Sequence, residues 1–207
     1  MSKGLPAPCL QTERLQLTLP SRSAAVEALT FHQRNLAHLA PWSPPIPANA
    51  GSLDHWIAVA DHAIAAFEAG TMVRLWVHPL DADALVIGSI GFSQMTRGPF
   101  CHAVLGYQID AAYQGRGLMR EALGSAISYM FEVQRLHRIS ANYRPENTRS
   151  GALLARLGFR IEGVAERYLF IDGEWRDHIL TSRTNDAFDP AWLAGPAPAP
   201  PRHGTNV

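Results

Sequence analysis

Two glycines stand between a strand pattern and a helix pattern near the middle of the chain. Residues 101–110, CHAVLGYQID, alternate apolar and polar positions, which predicts a strand. After the turn 114–117, QGRG, apolar residues recur at helical spacing as far as about Gln134. Glycines let a backbone approach a ligand closely, and the free N–H groups and dipole at a helix start attract an anion. The segment therefore predicts a turn that binds a pyrophosphate, although a tight turn without a ligand would use the same residues.

Two other phosphate-binding motifs do not fit this turn. A P-loop needs Lys and then Ser or Thr after its last glycine, whereas Leu118 follows Gly117 here. A dinucleotide-binding fold needs a third glycine early in a βαβ unit, and Arg120 occupies that position, after several predicted strands.

The remaining patterns predict an α/β domain in the order β-α-α-β-β-β-α-β-α-β-β. Further strands are predicted at 13–19, 71–78, 84–94 and 137–143. Further helices are predicted at 22–39, 52–69 and 147–157. Ser52 and Asn147 suit the N-cap positions of the last two, and Gly158 suits the end of the last one. The chain should then form a β-hairpin around Asp172-Gly173. This order indicates an α/β arrangement with a mixed, largely antiparallel sheet flanked by about four helices.

Composition limits the class of protein. Lys+Arg and Asp+Glu are both 18, so the formal net charge is +0, which argues against general binding of nucleic acid. The two cysteines, Cys9 and Cys101, do not form a disulfide framework. No secretory signal or transmembrane run is visible, so we expect a cytoplasmic protein without membrane contact. We expect one domain over 10–184, an N-terminal extension over 1–9 and a flexible Pro/Ala-rich tail over 185–207.

Several of these segments resemble the Gcn5-related N-acetyltransferase (GNAT) superfamily. The turn 114–117 is similar to the superfamily's Q/R-x-x-G-x-G/A signature. The subgroup that acetylates the N-termini of ribosomal proteins is similar over four ordered segments, and the resemblance covers about residues 10–183. These segments are QRNLAHLAPW (33–42), LGYQIDAAYQGRGLMREAL (105–123), HRISANYRPENTRSGALLARLGF (137–159) and IDGEWRDHIL (171–180).

The resemblance implies acetyl-CoA as the cofactor and a sheet whose two central strands, 101–110 and 137–143, splay apart around the pantetheine arm. It implies two sets of cofactor-binding residues, with Arg116 also supplying a positive charge. Beside the pantetheine and the acetyl carbonyl we expect Tyr107, Gln108, Ile109, Asn142 and Asn147. At the pyrophosphate we expect Gln114, Gly115, Arg116, Gly117, Leu118 and Met119.

The catalytic residues depart from the commonest pattern of the superfamily. Leu154 stands where many members carry the tyrosine that serves as general acid. The ribosomal subgroup often uses a serine one helical turn earlier, and Ser150 matches that serine. Val104 stands where the subgroup often carries a glutamate, which leaves the general base open. Sequence candidates for the base are His102, Glu146 and Glu166.

The resemblance implies that the early helices and the final hairpin enclose the acceptor amine. The residues expected there are Asn35, Trp42, His102, Tyr168 and Trp175. The favoured acceptor is the N-terminal α-amine of a protein, such as the alanine or serine of a ribosomal protein. Two alternatives stay open: a small amine, such as a polyamine, an amino acid or an antibiotic, and a slow acyl-CoA sensor. No histidine or cysteine cluster has metal-ligand spacing, so we expect no metal. A homodimer is compatible with the resemblance.

Overall fold

Eight strands form one mixed sheet in this computed structural model, which describes residues 7–194. Their order across the sheet is β1-β2-β3-β4-β5-β6-β8-β7. The strands are β1 Cys9–Gln11, β2 Leu15–Thr18, β3 Val73–Pro79, β4 Gly88–Thr96, β5 His102–Ile109, β6 Arg138–Tyr143, β7 Arg160–Ile171 and β8 Glu174–Thr184. The mixed, largely antiparallel sheet predicted from the sequence is therefore confirmed.

The central pair of strands is parallel and separates part of the way along. Strand β5 pairs with β6 from His102↔Arg138 to Leu105↔Ala141. Beyond that rung β5 continues to Ile109, paired only with β4, while β6 continues to Tyr143, paired only with β8. We call this opening the fork. It leaves backbone N–H and C=O groups of β5 without a strand partner on the side that faces β6.

Four helices flank the sheet: α1 Ala25–Leu39, α2 Leu53–Glu68, α3 Leu118–Glu132 and α4 Thr148–Arg156. Their ends follow the predicted capping signals. Ser52 accepts a hydrogen bond from the His55 N–H at the start of α2, and Asn147 accepts one from the Ser150 N–H at the start of α4. Gly158 follows α4 with φ of +81°, a conformation that glycine adopts without a Cβ penalty.

The main core lies between the sheet and α3. The helix presents its apolar stripe to the sheet, and the most buried members of that stripe are Ala122, Leu123, Ala126, Ile127 and Met130. Ala103 and Leu105 of β5 and Ile139 and Ala141 of β6 belong to the same core. Because side chains alternate along a strand, the intervening residues of β5 and β6 face the opposite side of the sheet.

Three details differ from the sequence prediction. Strand β1 was missed, since three residues paired with β2 carry too short a pattern to detect. The strand predicted at 84–94 begins at Gly88 and ends at Thr96. The predicted tail is ordered where it is described: Asn185 donates its N–H to the His137 carbonyl, and a 3₁₀ turn spans Pro190–Leu193. Residues 195–207 of the tail and 1–6 of the N-terminal extension lie outside the described residues.

The hairpin turn has the predicted chemistry. Asp172 and Gly173 both have positive φ, 53° and 76°, as a type I′ turn requires. Among residues 7–194, no helix has the length and apolar character needed to cross a membrane.

Candidate active site

The predicted phosphate turn lies at the open end of the fork and runs directly into α3. Gly115 and Gly117 have φ of 74° and 77°. A Cβ at Gly115 would meet no atom within 4 Å, so backbone conformation rather than space accounts for glycine there. Gly117 is the N-cap of α3 and no side chain caps the helix, so its first N–H groups remain available to a ligand.

A buried polar network fixes the chain just before this turn. Arg34 of α1 forms an ion pair with Asp110, whose other carboxylate oxygen accepts the Ala112 N–H. Asn35 accepts the Ala111 N–H at 3.0 Å and donates to the Phe31 carbonyl. Burial alone would raise the pKa of Asp110, but these donors outweigh burial and hold it below the ordinary value. Asn35 is only 1% exposed, so it supports the turn instead of facing the acceptor as the sequence suggested.

Gln114 connects three elements around the turn. Its side-chain amide nitrogen lies 2.8 Å from His38 Nε2 at the end of α1, and its amide oxygen accepts a hydrogen bond of 2.7 Å from Arg149 of α4. Arg116 lies over the ring of Tyr113, 5.3 Å from its centroid, in the exposed part of the turn. The signature glutamine therefore links α1 to α4 across the turn.

Ser150 and Tyr107 meet beside the fork. Their hydroxyl oxygens are 2.7 Å apart and hydrogen-bonded, although 43 positions separate them in the sequence. Burial raises the pKa of Tyr107 to about 12, partly opposed by this hydrogen bond, so the phenol stays protonated at neutral pH. Asn147 caps α4 through the Ser150 N–H and so fixes the serine backbone. Gly151 packs against Tyr143, whose ring would lie 2.7 Å from a Cβ at that position.

On the opposite side of the sheet from α3, a set of mostly uncharged side chains surrounds the fork. We call it the acceptor face. Asn142 donates to the Tyr168 hydroxyl at 3.2 Å, and the Tyr168 ring lies 5.6 Å from the ring of His178. Gln108 donates to the Ser43 hydroxyl. The acceptor face comprises Trp42, Ser43, Gln108, Asn142, Tyr168 and His178.

His178 was not identified from the sequence as a candidate site residue. It is 3% exposed, and its Nδ1 lies 3.0 Å from the Arg176 carbonyl oxygen. A carbonyl can only accept, so Nδ1 carries the proton and Nε2 keeps a lone pair in the neutral ring. One histidine in an alternating strand gives no spacing signal, and only the pairing of β7 with β8 brings it beside Tyr168.

The other predicted acceptor residues are dispersed. Trp42, a member of the acceptor face, packs under the guanidinium of Arg144, whose central carbon lies 5.4 Å from the ring centroid. His102 lies at the closed end of the fork, where Nε2 contacts the Ser140 hydroxyl at 2.8 Å. Burial, followed by the nearby Arg138 charge, lowers the pKa of His102. Trp175 is 61% exposed at the hairpin tip.

The remaining base candidates are less well placed. Glu146 forms an ion pair with Arg144, 3.3 Å between the charged atoms, and Glu166 is exposed on β7. Val104 projects to the side of the sheet that carries the acceptor face and supplies no titratable group. Within residues 7–194, no group of three or more His, Cys, Asp or Glu is arranged to hold a metal ion.

The fork and the turn together fit acetyl-CoA. The unpaired edge of β5 offers main-chain donors and acceptors to the amides of the pantetheine arm, and the uncapped start of α3 offers N–H groups to the diphosphate. Ser150 stands beside the fork through its hydrogen bond with Tyr107.

Comparison with known proteins agrees with this geometry. Residues 14–160 match the family described as acetyltransferase (GNAT) domain. The [ribosomal protein uS5]-alanine N-acetyltransferase of Escherichia coli (strain K12) is 40% identical over 192 residues, covering 93% of this chain and 96% of that enzyme.

Two solved structures share the fold. The ribosomal-protein-S5-alanine acetyltransferase of Vibrio fischeri is 37% identical with a TM-score of 0.84, over 88% of this chain and 100% of that one. Mycobacterium smegmatis RimJ, solved in complex with CoA-disulfide, is 29% identical with a TM-score of 0.80, over 90% and 91%. The chain thus belongs to the GNAT acetyltransferase family and is an acetyl-CoA-dependent N-acetyltransferase.

Proposed function

We propose that this enzyme acetylates the N-terminal α-amine of a protein, with the alanine of a ribosomal protein as the favoured acceptor. The observation that carries the proposal is the 40% identity, over nearly the whole of both chains, to an enzyme named for alanine acetylation of ribosomal protein uS5. The acceptor face supports it, because Trp42, Ser43, Gln108, Asn142, Tyr168 and His178 carry no carboxylate. A polyamine would need carboxylates there to balance its charges.

Ser150 is proposed as the residue that stabilises the departing thiolate. Bound acetyl-CoA supplies the thioester that serves as acyl donor. The two hydroxyls are 2.7 Å apart, and either could donate. In the arrangement proposed here Tyr107 donates its O–H to Ser150 Oγ, which leaves the serine proton free to point toward the sulfur. A phenol with a pKa of about 12 does not itself surrender its proton to a thiolate, since a thiol has a pKa of about 8.5. Tyr107 is therefore a positioning residue, and Ser150 makes the catalytic contact.

His178 is proposed as the group that accepts the proton of the acceptor ammonium, directly or through one water. Its tautomer is held by the Arg176 carbonyl, so Nε2 is the basic atom. An α-amine has a pKa of about 7.7–8.0, against about 10.4 for lysine, so an N-terminal amine gives up its proton more readily than a lysine side chain does. Asn142 and Tyr168, which join the fork to His178, would orient the incoming peptide.

The experiment is thiol release from acetyl-CoA with a panel of acceptors. It includes peptides beginning with Ala or Ser, the same peptides with a blocked N-terminus and an internal lysine, spermidine, and free amino acids. We expect turnover only with free peptide N-termini. Turnover confined to spermidine or a free amino acid would refute the proposed acceptor, and acetyl-CoA binding without turnover on any acceptor would favour the sensor function.

A further inference from the structure

Six arginines line one cleft that begins at the start of α3. The cleft has a volume of about 1380 Å³ and includes Gly117 and Gly124 of α3 on one wall. The opposite wall is formed by the end of α4 and the beginning of β7, residues 155–162. The arginines are Arg14, Arg120, Arg138, Arg156, Arg160 and Arg183. A third of the 18 basic residues of this chain therefore lie in one cleft, although the chain as a whole has no formal net charge.

Three of these arginines already have partners. Arg14 forms an ion pair with Glu121 at 2.6 Å, and Arg138 forms one with Glu162. Arg183 donates to the Leu157 carbonyl at 2.9 Å. These contacts give the three arginines a structural role in the wall of the cleft.

The other three have none. Within the described chain, the guanidinium groups of Arg120, Arg156 and Arg160 make no hydrogen bond or ion pair, and all three are exposed. Arg120 belongs to the first turn of α3, whereas Arg156 ends α4 and Arg160 begins β7. Asp186 is the one remaining acidic lining residue, so the unpaired charge of the cleft is positive.

The position of this charge indicates its ligand. Gly117 belongs both to the cleft and to the turn that fits the diphosphate, so the cleft continues from the diphosphate toward the nucleotide end of the cofactor. The one anionic group of CoA beyond the diphosphate is the 3′-phosphate of its ribose. A phosphomonoester carries about −1.5 to −2 charges at pH 7 and suits the planar fork of arginine.

We propose that Arg156 and Arg160 bind the 3′-phosphate of the cofactor, so that this enzyme distinguishes CoA from 3′-dephospho-CoA. The proposal rests on acetyl-CoA as cofactor and is independent of which amine is acetylated. Arg120, beside the diphosphate, would contribute to the binding of both ligands. The outer wall of the cleft would then determine which nucleotide end is accepted.

The test is equilibrium binding of CoA and of 3′-dephospho-CoA, measured by calorimetry in about 50 mM salt, where surface charges are weakly screened. We expect wild-type protein to bind CoA roughly tenfold more tightly, the usual order for a charged hydrogen-bonding pair near the surface. In the double variant Arg156→Gln/Arg160→Gln, the two affinities should become equal through weaker CoA binding, with 3′-dephospho-CoA affinity unchanged. Adenosine 3′,5′-bisphosphate should likewise compete with CoA better than 5′-AMP does, in wild type alone.

Arg22→Gln is the matched control. It removes a positive charge from an exposed arginine that pairs with Asp61 of α2 and does not line the cleft, and it should leave the ratio of affinities unchanged. Equal affinities in wild type would overturn the proposal, as would a ratio that survives in the double variant. An equal loss in Arg22→Gln would show a general charge effect and would also overturn it. Absence of CoA binding altogether would instead refute the cofactor site itself.

Discussion

Replacing Ser150 by alanine tests the catalytic arrangement most directly. The variant removes a hydroxyl that lies 2.7 Å from Tyr107 and beside the fork. A hydrogen bond to a charged group contributes about 1.5–3 kcal/mol, so loss of the contact with the developing thiolate should lower kcat roughly 10- to 150-fold. The affinity for acetyl-CoA should change little, because in the proposed site the main chain of β5 and the start of α3 would hold the cofactor. The assay is single-turnover acetyl transfer together with equilibrium acetyl-CoA binding.

Tyr107→Phe separates positioning from catalysis. It removes a neutral hydrogen bond of about 0.5–1.5 kcal/mol, so kcat should fall roughly 2- to 12-fold. If Tyr107 acts only through Ser150, the double variant should match Ser150→Ala alone. Ser128→Ala removes an exposed hydroxyl from α3 and should leave kcat unchanged. Independent, multiplying losses from the two substitutions, or an undiminished kcat in Ser150→Ala, would refute the reasoning.

Three further substitutions test the architecture around the site. Gly117→Val places a β-branched residue at φ of +77°. CoA affinity measured by calorimetry should therefore fall more than tenfold, while the circular dichroism spectrum is retained. Unchanged affinity would show that the diphosphate does not bind at this turn. Gly151→Ala sets a Cβ 2.7 Å from the Tyr143 ring, so Tm should fall by several degrees, and an unchanged Tm would show that the ring moves freely. Asp110→Asn leaves Arg34 without its anion, and urea unfolding at pH 7 should lose about 2–3 kcal/mol. Because the folded pKa of Asp110 is depressed, the loss should be complete above its unfolded pKa and should shrink as the pH falls through the folded value. A loss of stability that does not change with pH would show that the substitution acts through packing and not through the charge of Asp110.

The local signals in the sequence were sufficient for most of the fold. Asp172-Gly173 predicted the hairpin because a type I′ turn needs two positive φ values, which these residues tolerate. Ser52 and Asn147 predicted helix starts because their side chains satisfy nearby N–H groups. The turn at Gly115 and Gly117 predicted an anion site for the same kind of reason. Each of these features depends on neighbours within about four positions.

The positions of the residues proposed for catalysis and specificity depend on contacts between distant parts of the chain. The separation of β5 from β6 follows from sheet register, which decides where Tyr107 and Ser150 meet. His178 reaches Tyr168 only because β7 and β8 pair across two bulges. The arginines of the cleft come from α3, α4 and the sheet edge, and no periodicity relates them.

The sequence by itself determined the family, the order of the longer elements and the glycine turn before α3, because sequence resemblance, local backbone preferences and short-range capping encode them. Only the tertiary structure decided which polar side chains lie together at the fork. It also decided which polar side chains support the site through hydrogen bonds to the main chain, as Asn35 does, and which positive charges remain unpaired. The physical reason is that hydrogen bonds and ion pairs act over a few ångströms in space, and sequence separation does not predict that distance until strands and helices have packed.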